Sequence, residues 1–339
     1  MTNFWKSARR WLPGTVLSLV LLGVILYLVD LGAVWTALRK ADYRLLLLAL
    51  AGSITWFLVR GIVWRTLLQN RPSYRVTFFC LSEGYLMNNF LPFRLGEVGR
   101  AFLLSRKTDL RFMEILPTIV IERVLDLMFS AGILVLSVPF VLGVSGAERI
   151  GYVVGGVMLV GLLSLFILAR NRIWAGKVFQ NLSLRWPKLH QIGGSILDPF
   201  FEGLVVLTDF RLFAKFLFWM TINWLIAIGQ YFILVRAFFP QANLTWAMFS
   251  LGAAAFGGAI PSLPGAIGTL DAAVGGAIAM LTQNIDTAAA FVVVMRLFNY
   301  LVTGVPALIA LSTEGQTLAG LYRDVTRFRA RSTQSENLE

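Results

Sequence analysis

Long apolar stretches separated by short, mostly basic polar segments set the pattern of this chain. Runs at Leu12–Val29, Leu45–Trp64, Phe112–Leu142, Ile150–Ala169, Phe216–Phe238 and Ala288–Leu311 are each long enough to cross roughly 30 Å of hydrocarbon as a helix. About six full spans are therefore expected. Two further apolar segments stop short. Val76–Leu91 carries Glu83, Asn88 and Asn89 and ends at Leu91-Pro92. Trp246–Ile260 runs into Pro261-Ser-Leu-Pro-Gly-Ala-Ile-Gly-Thr-Leu-Asp271, after which small residues fill Ala272–Ala279. Backbone groups freed by Pro and Gly at membrane depth need protein or water as partners. Each break is accordingly read as a re-entrant hairpin, and the expected fold class is an all-α polytopic membrane protein.

Two amphipathic segments lie between the spans. Leu31, Val34, Trp35 and Leu38 recur at helical spacing beside Arg39 and Lys40, the signature of a short interfacial helix. Leu189, Ile192, Ile196, Leu197, Phe200, Phe201 and Leu204 form a similar stripe within a cytoplasmic segment of about 170–212. The domain reading is one transmembrane unit over 1–315 followed by a basic polar tail over 316–339.

Composition sharpens the class. Apolar residues make up 57% and charged residues 14% of the 339, against about 45–50% and about 25% in soluble domains, which excludes an ordinary soluble enzyme. A net charge of +12 would point to nucleic acid in a soluble protein. Here the basic residues sit between apolar runs, where anionic headgroups are the natural partner and no nucleic acid is expected. Their distribution puts both termini in the cytoplasm of a cell-membrane protein; Arg39, Lys40 and Arg44 run against that bias. A lone cysteine, Cys80, and a lone histidine, His190, leave no zinc-type spacing. The Walker Gly-Lys-Ser/Thr is absent. Neither a metal nor any other cofactor is expected, and transport would be passive or ion-coupled.

The chain also repeats itself. Leu91-Pro92 and Leu263-Pro264 each have a glycine four residues after the proline, Gly96 and Gly268, with an acid shortly beyond, Glu97 and Asp271. Arg123 follows Pro92 by 31 residues and Arg296 follows Pro264 by 32; three residues on stand Asp126 and Asn299. The charge-derived topology gives the halves, about 45–144 and 216–312, opposite senses. That is the inverted repeat of many transporters, in which broken helices meet around a site near the midplane.

An ionised side chain at the bilayer centre costs on the order of 2.5–3.5 kcal/mol. Glu122, Arg123, Asp126 and Arg296 must therefore pair or line a wet cavity. Arg94, Arg123, Arg296 and Asn299 are the candidate headgroup ligands, because guanidinium matches phosphate bidentately. Glu97, Glu122, Asp126 and Asp271 would hold the arginines or take up protons. Pro92, Gly96, Pro264, Gly265 and Gly268 are the expected hairpin breaks. The plainer alternative is a buried ion-pair cluster that only locks the hairpins.

At Leu91-Pro-Phe-Arg-Leu-Gly-Glu-Val-Gly-Arg100, Ile121-Glu-Arg-Val-Leu-Asp126 and Leu263-Pro-Gly-Ala-Ile-Gly-Thr-Leu-Asp271 the sequence resembles the flippase-like transmembrane family, which includes the membrane half of bacterial lysylphosphatidylglycerol synthases. The resemblance runs from the first span to the last. It implies movement of phospholipids or similar anionic amphiphiles between leaflets. Family members often read Pro-Gly-Gly-x-Gly with Glu at the later acid, where Ala266 and Asp271 stand here. Lysine transfer from transfer RNA would need a sizeable soluble domain after the membrane part. Only Thr313–Glu339 follows, so this chain is not expected to make aminoacylated lipid by itself, and on the translocator reading it is not an enzyme. Two other readings stay open: a membrane enzyme using Glu97 or Glu122 on a lipid phosphate, and an ion-coupled small-solute transporter.

Overall fold

The computed structural model describes residues 30–90, 95–142, 199–260 and 262–313, with a few positions between 156 and 174. The expected span at Leu12–Val29, most of that at Ile150–Ala169, most of the amphipathic stripe, His190, the tail, Pro92 and Arg94 lie outside them. The described residues form an all-α polytopic membrane protein.

Helix α1, Leu31–Lys40, starts where the Asp30 carboxylate accepts from the N–H groups of Gly32 and Ala33. It leaves Leu31 and Trp35 exposed, with the Arg39 guanidinium 5.0 Å above the Trp35 ring, as an interfacial helix should. Asp42 caps α2, Tyr43–Leu67, in the same way. After the turn at Gln69–Ser73 come α3, Tyr74–Phe90, and α4, Leu95–Lys107, then α5, Phe112–Leu142. The short α6, Val205–Thr208, ends at Asp209, whose carboxylate caps α7, Phe210–Phe238. That cap extends the span expected from Phe216 back by two turns and takes residues 210–212 out of the amphipathic segment. Asn243 caps α8, Leu244–Ala259. A single 3-10 turn, Pro264–Ala266, leads to α9, Thr269–Thr282, and α10, Ile285–Thr313, closes the described chain.

Length separates two kinds of helix. Helices α2, α5, α7 and α10 have 25, 31, 29 and 29 residues, about 37–46 Å at 1.5 Å per residue, enough to cross. Helices α3, α4, α8 and α9 have 17, 13, 16 and 14, about 20–25 Å, too short for a hydrocarbon core of about 30 Å. By hydropathy Pro264–Thr282 also reaches span length. The left-handed backbone at Gly265 and Gly268, φ +66° and +88°, interrupts that stretch and leaves α9 a half-helix.

Packing comes in matched pairs. Helix α2 lies against α7, the most extensive contact among the described residues; α3 packs on α4 and α10, and α8 packs on α9 and α5. The α2–α7 crossing is antiparallel: the Ser53 hydroxyl meets Gln230, and one turn pair away Arg60 meets Asn223. Inside the two hairpins one contact occurs twice, at residues 173 positions apart. A Cβ on Gly84 would lie 2.8 Å from the Gly96 carbonyl, and a Cβ on Gly257 2.8 Å from the Thr269 carbonyl. Only glycine permits backbones this close. Gly96 thus sits inside the first turn of α4, where it lets α3 approach, and its N–H donates to the Asn88 side chain at 2.8 Å.

Candidate functional site

The site grows from what α2 and α5 must do with ionised residues in apolar helices. Glu122, in the middle of α5, is fully buried and accepts from three arginines: Arg60 Nη2 at 2.5 Å, Arg100 Nη2 at 3.1 Å and Arg123 Nη2 at 3.1 Å. Arg60, itself 2% exposed, continues to Asp126 through Nη1 at 2.9 Å and through a second, shorter bond from Nη2. Arg123 pairs at 3.3 Å with both Glu97 on α4 and Asp126, one turn along its own helix. Arg100 rests its guanidinium on the Trp64 ring, 4.6 Å from the centroid. The aromatic face replaces the hydrogen bonds its Nε and Nη1 lack. Three cations and three carboxylates thus form one network tying α2, α4 and α5 together.

The second half has a smaller counterpart. Arg296 on α10 donates from Nε to Asp271 Oδ1 at 2.6 Å, from Nη2 to the Ala266 carbonyl at 3.0 Å, and from Nη1 to the Gly265 carbonyl. Asp271 Oδ2 accepts from the Gly268 N–H at 2.8 Å. In both halves an arginine of the long helix therefore reaches an acid in the first turn of the second hairpin helix. The rest of the network has no echo. Residues 173 positions on from Arg100, Glu122 and Asp126 are Ala273, Met295 and Asn299.

A cavity of about 490 Å³ lies between the halves. Arg60, Glu97, Arg123, Asp126 and Asn223 form one part of its wall, and Arg296 and Asn299 face it from α10. Elsewhere the wall is mostly aliphatic or aromatic, including Leu251, Ala254, Ala255 and Trp224, with Ser53, Ser130, Gln230 and Thr303 among it. Arg123 is the most open of the charged groups there, with 27% of its side chain exposed against 19% for Glu97 and 16% for Asp126. Arg60 Nε and Trp224 Nε1 are buried without a hydrogen-bond partner, while Arg123 Nε lies 3.3 Å from Glu97. The hairpin tips meet beside it: a Cβ on Gly265 would lie 3.5 Å from the Asn89 carbonyl at the end of α3.

Of the residues singled out in the sequence, Arg123, Arg296, Asn299, Glu97 and Asp126 line this one cavity. Glu122 stands directly behind it, and Asp271 anchors Arg296 from α9. Pro264, Gly265 and Gly268 form the turn of the second hairpin; Arg94 and Pro92 fall outside the described residues. The sequence reading overlooked Arg60, Arg100 and Asn223. Arg60 was there to be found, because an arginine in the middle of an apolar span is itself the signal of a buried partner.

Neither a curated protein nor a solved structure matches the chain at a significant level. The family model for the lysylphosphatidylglycerol synthase TM region matches residues 11–307, a stretch that takes in both hairpins and every charged residue of the cavity. On that match, the chain belongs to the lysylphosphatidylglycerol synthase TM region family.

Proposed function

We propose that this protein translocates phospholipids or related anionic amphiphiles between the leaflets of a cell membrane, without covalent chemistry. One observation carries the reading: a single cavity joins an ionic wall to a mostly apolar wall, inside a bundle whose outer solvent is lipid. An amphiphile needs both surfaces at once. Its phosphate finds Arg123, the most open cation of the wall. Its apolar part lies against Leu251 and Ala254. The paired packing at 173-residue spacing and the antiparallel α2–α7 crossing support an inverted repeat, the architecture suited to exposing one central site to either face. Both termini then lie on the cytoplasmic side.

The test is direct. Liposomes containing the purified protein and a fluorescent phospholipid are treated with an impermeant quencher. Wild type is expected to expose the inner-leaflet probe, and Arg123→Ala to slow that exposure at least about tenfold, as loss of one bidentate phosphate contact requires. Equal rates for the two would defeat the reading. A chemically altered lipid in the mass spectrum would favour a membrane enzyme instead.

A further inference from the structure

Arg296 was expected to hold a headgroup, yet it grips the protein's own backbone. We infer that Arg296 and Asp271 are a latch that keeps the second hairpin closed over the cavity, and that an anionic headgroup opens it by taking Arg296 for itself. The inference rests on the proposal that the cavity receives such headgroups.

Two backbone bonds close the turn from Leu263 to Gly268, Ala266 N–H to the Leu263 carbonyl at 2.9 Å and Ile267 N–H to the Pro264 carbonyl at 3.4 Å, and they leave the Gly265 and Ala266 carbonyls to other donors. Gly265, Ala266 and Gly268 have φ of +66°, +52° and +88°, a region an L-residue such as Ala266 adopts only under constraint. The carbonyls of Gly265 and Ala266 both accept from Arg296. Without it the Gly265 carbonyl would lose that partner at lipid depth, and the Ala266 carbonyl would keep only the 3.4 Å bond from the Thr269 hydroxyl. Asp271 completes the clasp by accepting from the Gly268 N–H and from Arg296 Nε. One guanidinium thus binds the turn, the first turn of α9 and α10 together.

The same guanidinium lines the cavity. A phosphate there competes for the Nη1 and Nη2 edge that the two carbonyls occupy, and fork-to-phosphate bonding is the stronger because it is charge-assisted. The two halves differ in this respect. Arg123 pairs with side chains, Glu97, Glu122 and Asp126, whereas Arg296 holds main chain. Half one therefore supplies the seat and half two the door.

Ser262 reports on closure. It is 8% exposed, and its hydroxyl accepts from Thr269 Oγ1 at 2.9 Å across the hairpin. In the full chain carrying Cys80→Ala and Ser262→Cys, solubilised in a neutral maltoside detergent, modification by an impermeant thiol reagent should be slow. Arg296→Gln should accelerate it about tenfold by shifting the closed–open equilibrium. Asp271→Asn should accelerate it as well while keeping an acceptor for the Gly268 N–H. Gly132→Ala, whose added methyl meets nothing within 4 Å, should leave the rate unchanged. Dodecyl phosphate, but not dodecanol, should accelerate modification in the chain with Arg296 intact and add nothing in Arg296→Gln.

Rates unchanged by Arg296→Gln and Asp271→Asn overturn the latch; if Arg296→Gln does not fold, Asp271→Asn decides alone. Acceleration by the substitutions without any response to dodecyl phosphate overturns opening by the headgroup. No lipid movement enters this measurement, so its failure is separable from a failure of translocation in liposomes.

Discussion

Arg60 Nη2 and Glu122 Oε1 meet at 2.5 Å, and neither side chain is more than 2% exposed. The pair joins α2 to α5 at the back of the cavity. Because Glu122 also accepts from Arg100 and Arg123, a single carboxylate fixes three cations, including the one that faces the cavity. Removing one member of such a buried set costs more than the set contributes as a whole, since the remaining charges keep their desolvation penalty and lose their partner.

Glu122→Gln should therefore be among the most destabilising single changes in the described bundle, at about 3–5 kcal/mol. Asp126→Asn should cost clearly less, because Asp126 sits at the cavity edge, where its side chain is 16% exposed and water can reach what it leaves behind. Thermal unfolding of the two variants in one detergent checks the order. A milder loss for Glu122→Gln than for Asp126→Asn would mean that the network is wetter than its burial indicates.

Glycine substitutions should separate close packing from open surface. Gly84→Ala places a methyl 2.7 Å from Arg100 Cβ and 2.8 Å from the Gly96 carbonyl, and the backbone atom cannot yield without separating α3 from α4. About 1–3 kcal/mol is expected. Gly257→Ala should behave alike, because its methyl meets the Thr269 carbonyl at 2.8 Å. Gly132→Ala, with nothing within 4 Å, should be neutral or stabilising by up to about 1 kcal/mol. Melting temperatures measured side by side give the comparison.

Asn223→Leu probes the α2–α7 crossing. The Asn223 amide donates to the Trp56 carbonyl at 2.8 Å and its oxygen accepts from Arg60 Nη1 at 3.4 Å. Leucine removes both while leaving Arg60 buried, a loss of about 1–3 kcal/mol. Ser53→Ala should cost less, since the Ser53 hydroxyl already bonds within its own helix to the Ala49 carbonyl at 2.9 Å. Chemical denaturation of both variants tests the difference.

Much of this was legible because it is local. The interfacial stripe at Leu31–Leu38, the break after Phe90 and the double Pro–Gly–acid motif follow from periodicity and backbone chemistry within a few residues. So does the pairing of Arg123 with Asp126, three residues apart on one helix face. What escaped depends on tertiary approach. Arg100 reads as one more basic residue at a helix end, and nothing nearby in the sequence announces the Trp64 ring 36 positions earlier on which it lies. Arg296 reads as a twin of Arg123, because the motif around it repeats. Its grip on the carbonyls of Gly265 and Ala266 is what the motif does not reveal, because backbone acceptors leave no mark in side-chain identity.

Asn299 offers a test of the chemical inequality between the halves. It stands where Asp126 stands in half one, 173 positions earlier, and it lines the cavity. Asn299→Asp keeps the size of the side chain and adds a carboxylate three residues from Arg296 on the same helix face, within reach of its guanidinium. Stability should change by less than about 1 kcal/mol, because the new charge faces the cavity and a neighbouring cation. On the proposed function the effect on movement is larger and selective. A further negative charge raises the cost of bringing in an anionic headgroup, whereas a zwitterionic one offsets it with its own ammonium. Scrambling of a fluorescent phosphatidylglycerol should slow several-fold relative to a fluorescent phosphatidylethanolamine in the same liposomes. Equal slowing of both probes would mean that Asn299 acts through the helix packing around it and not through the charge seen by the lipid.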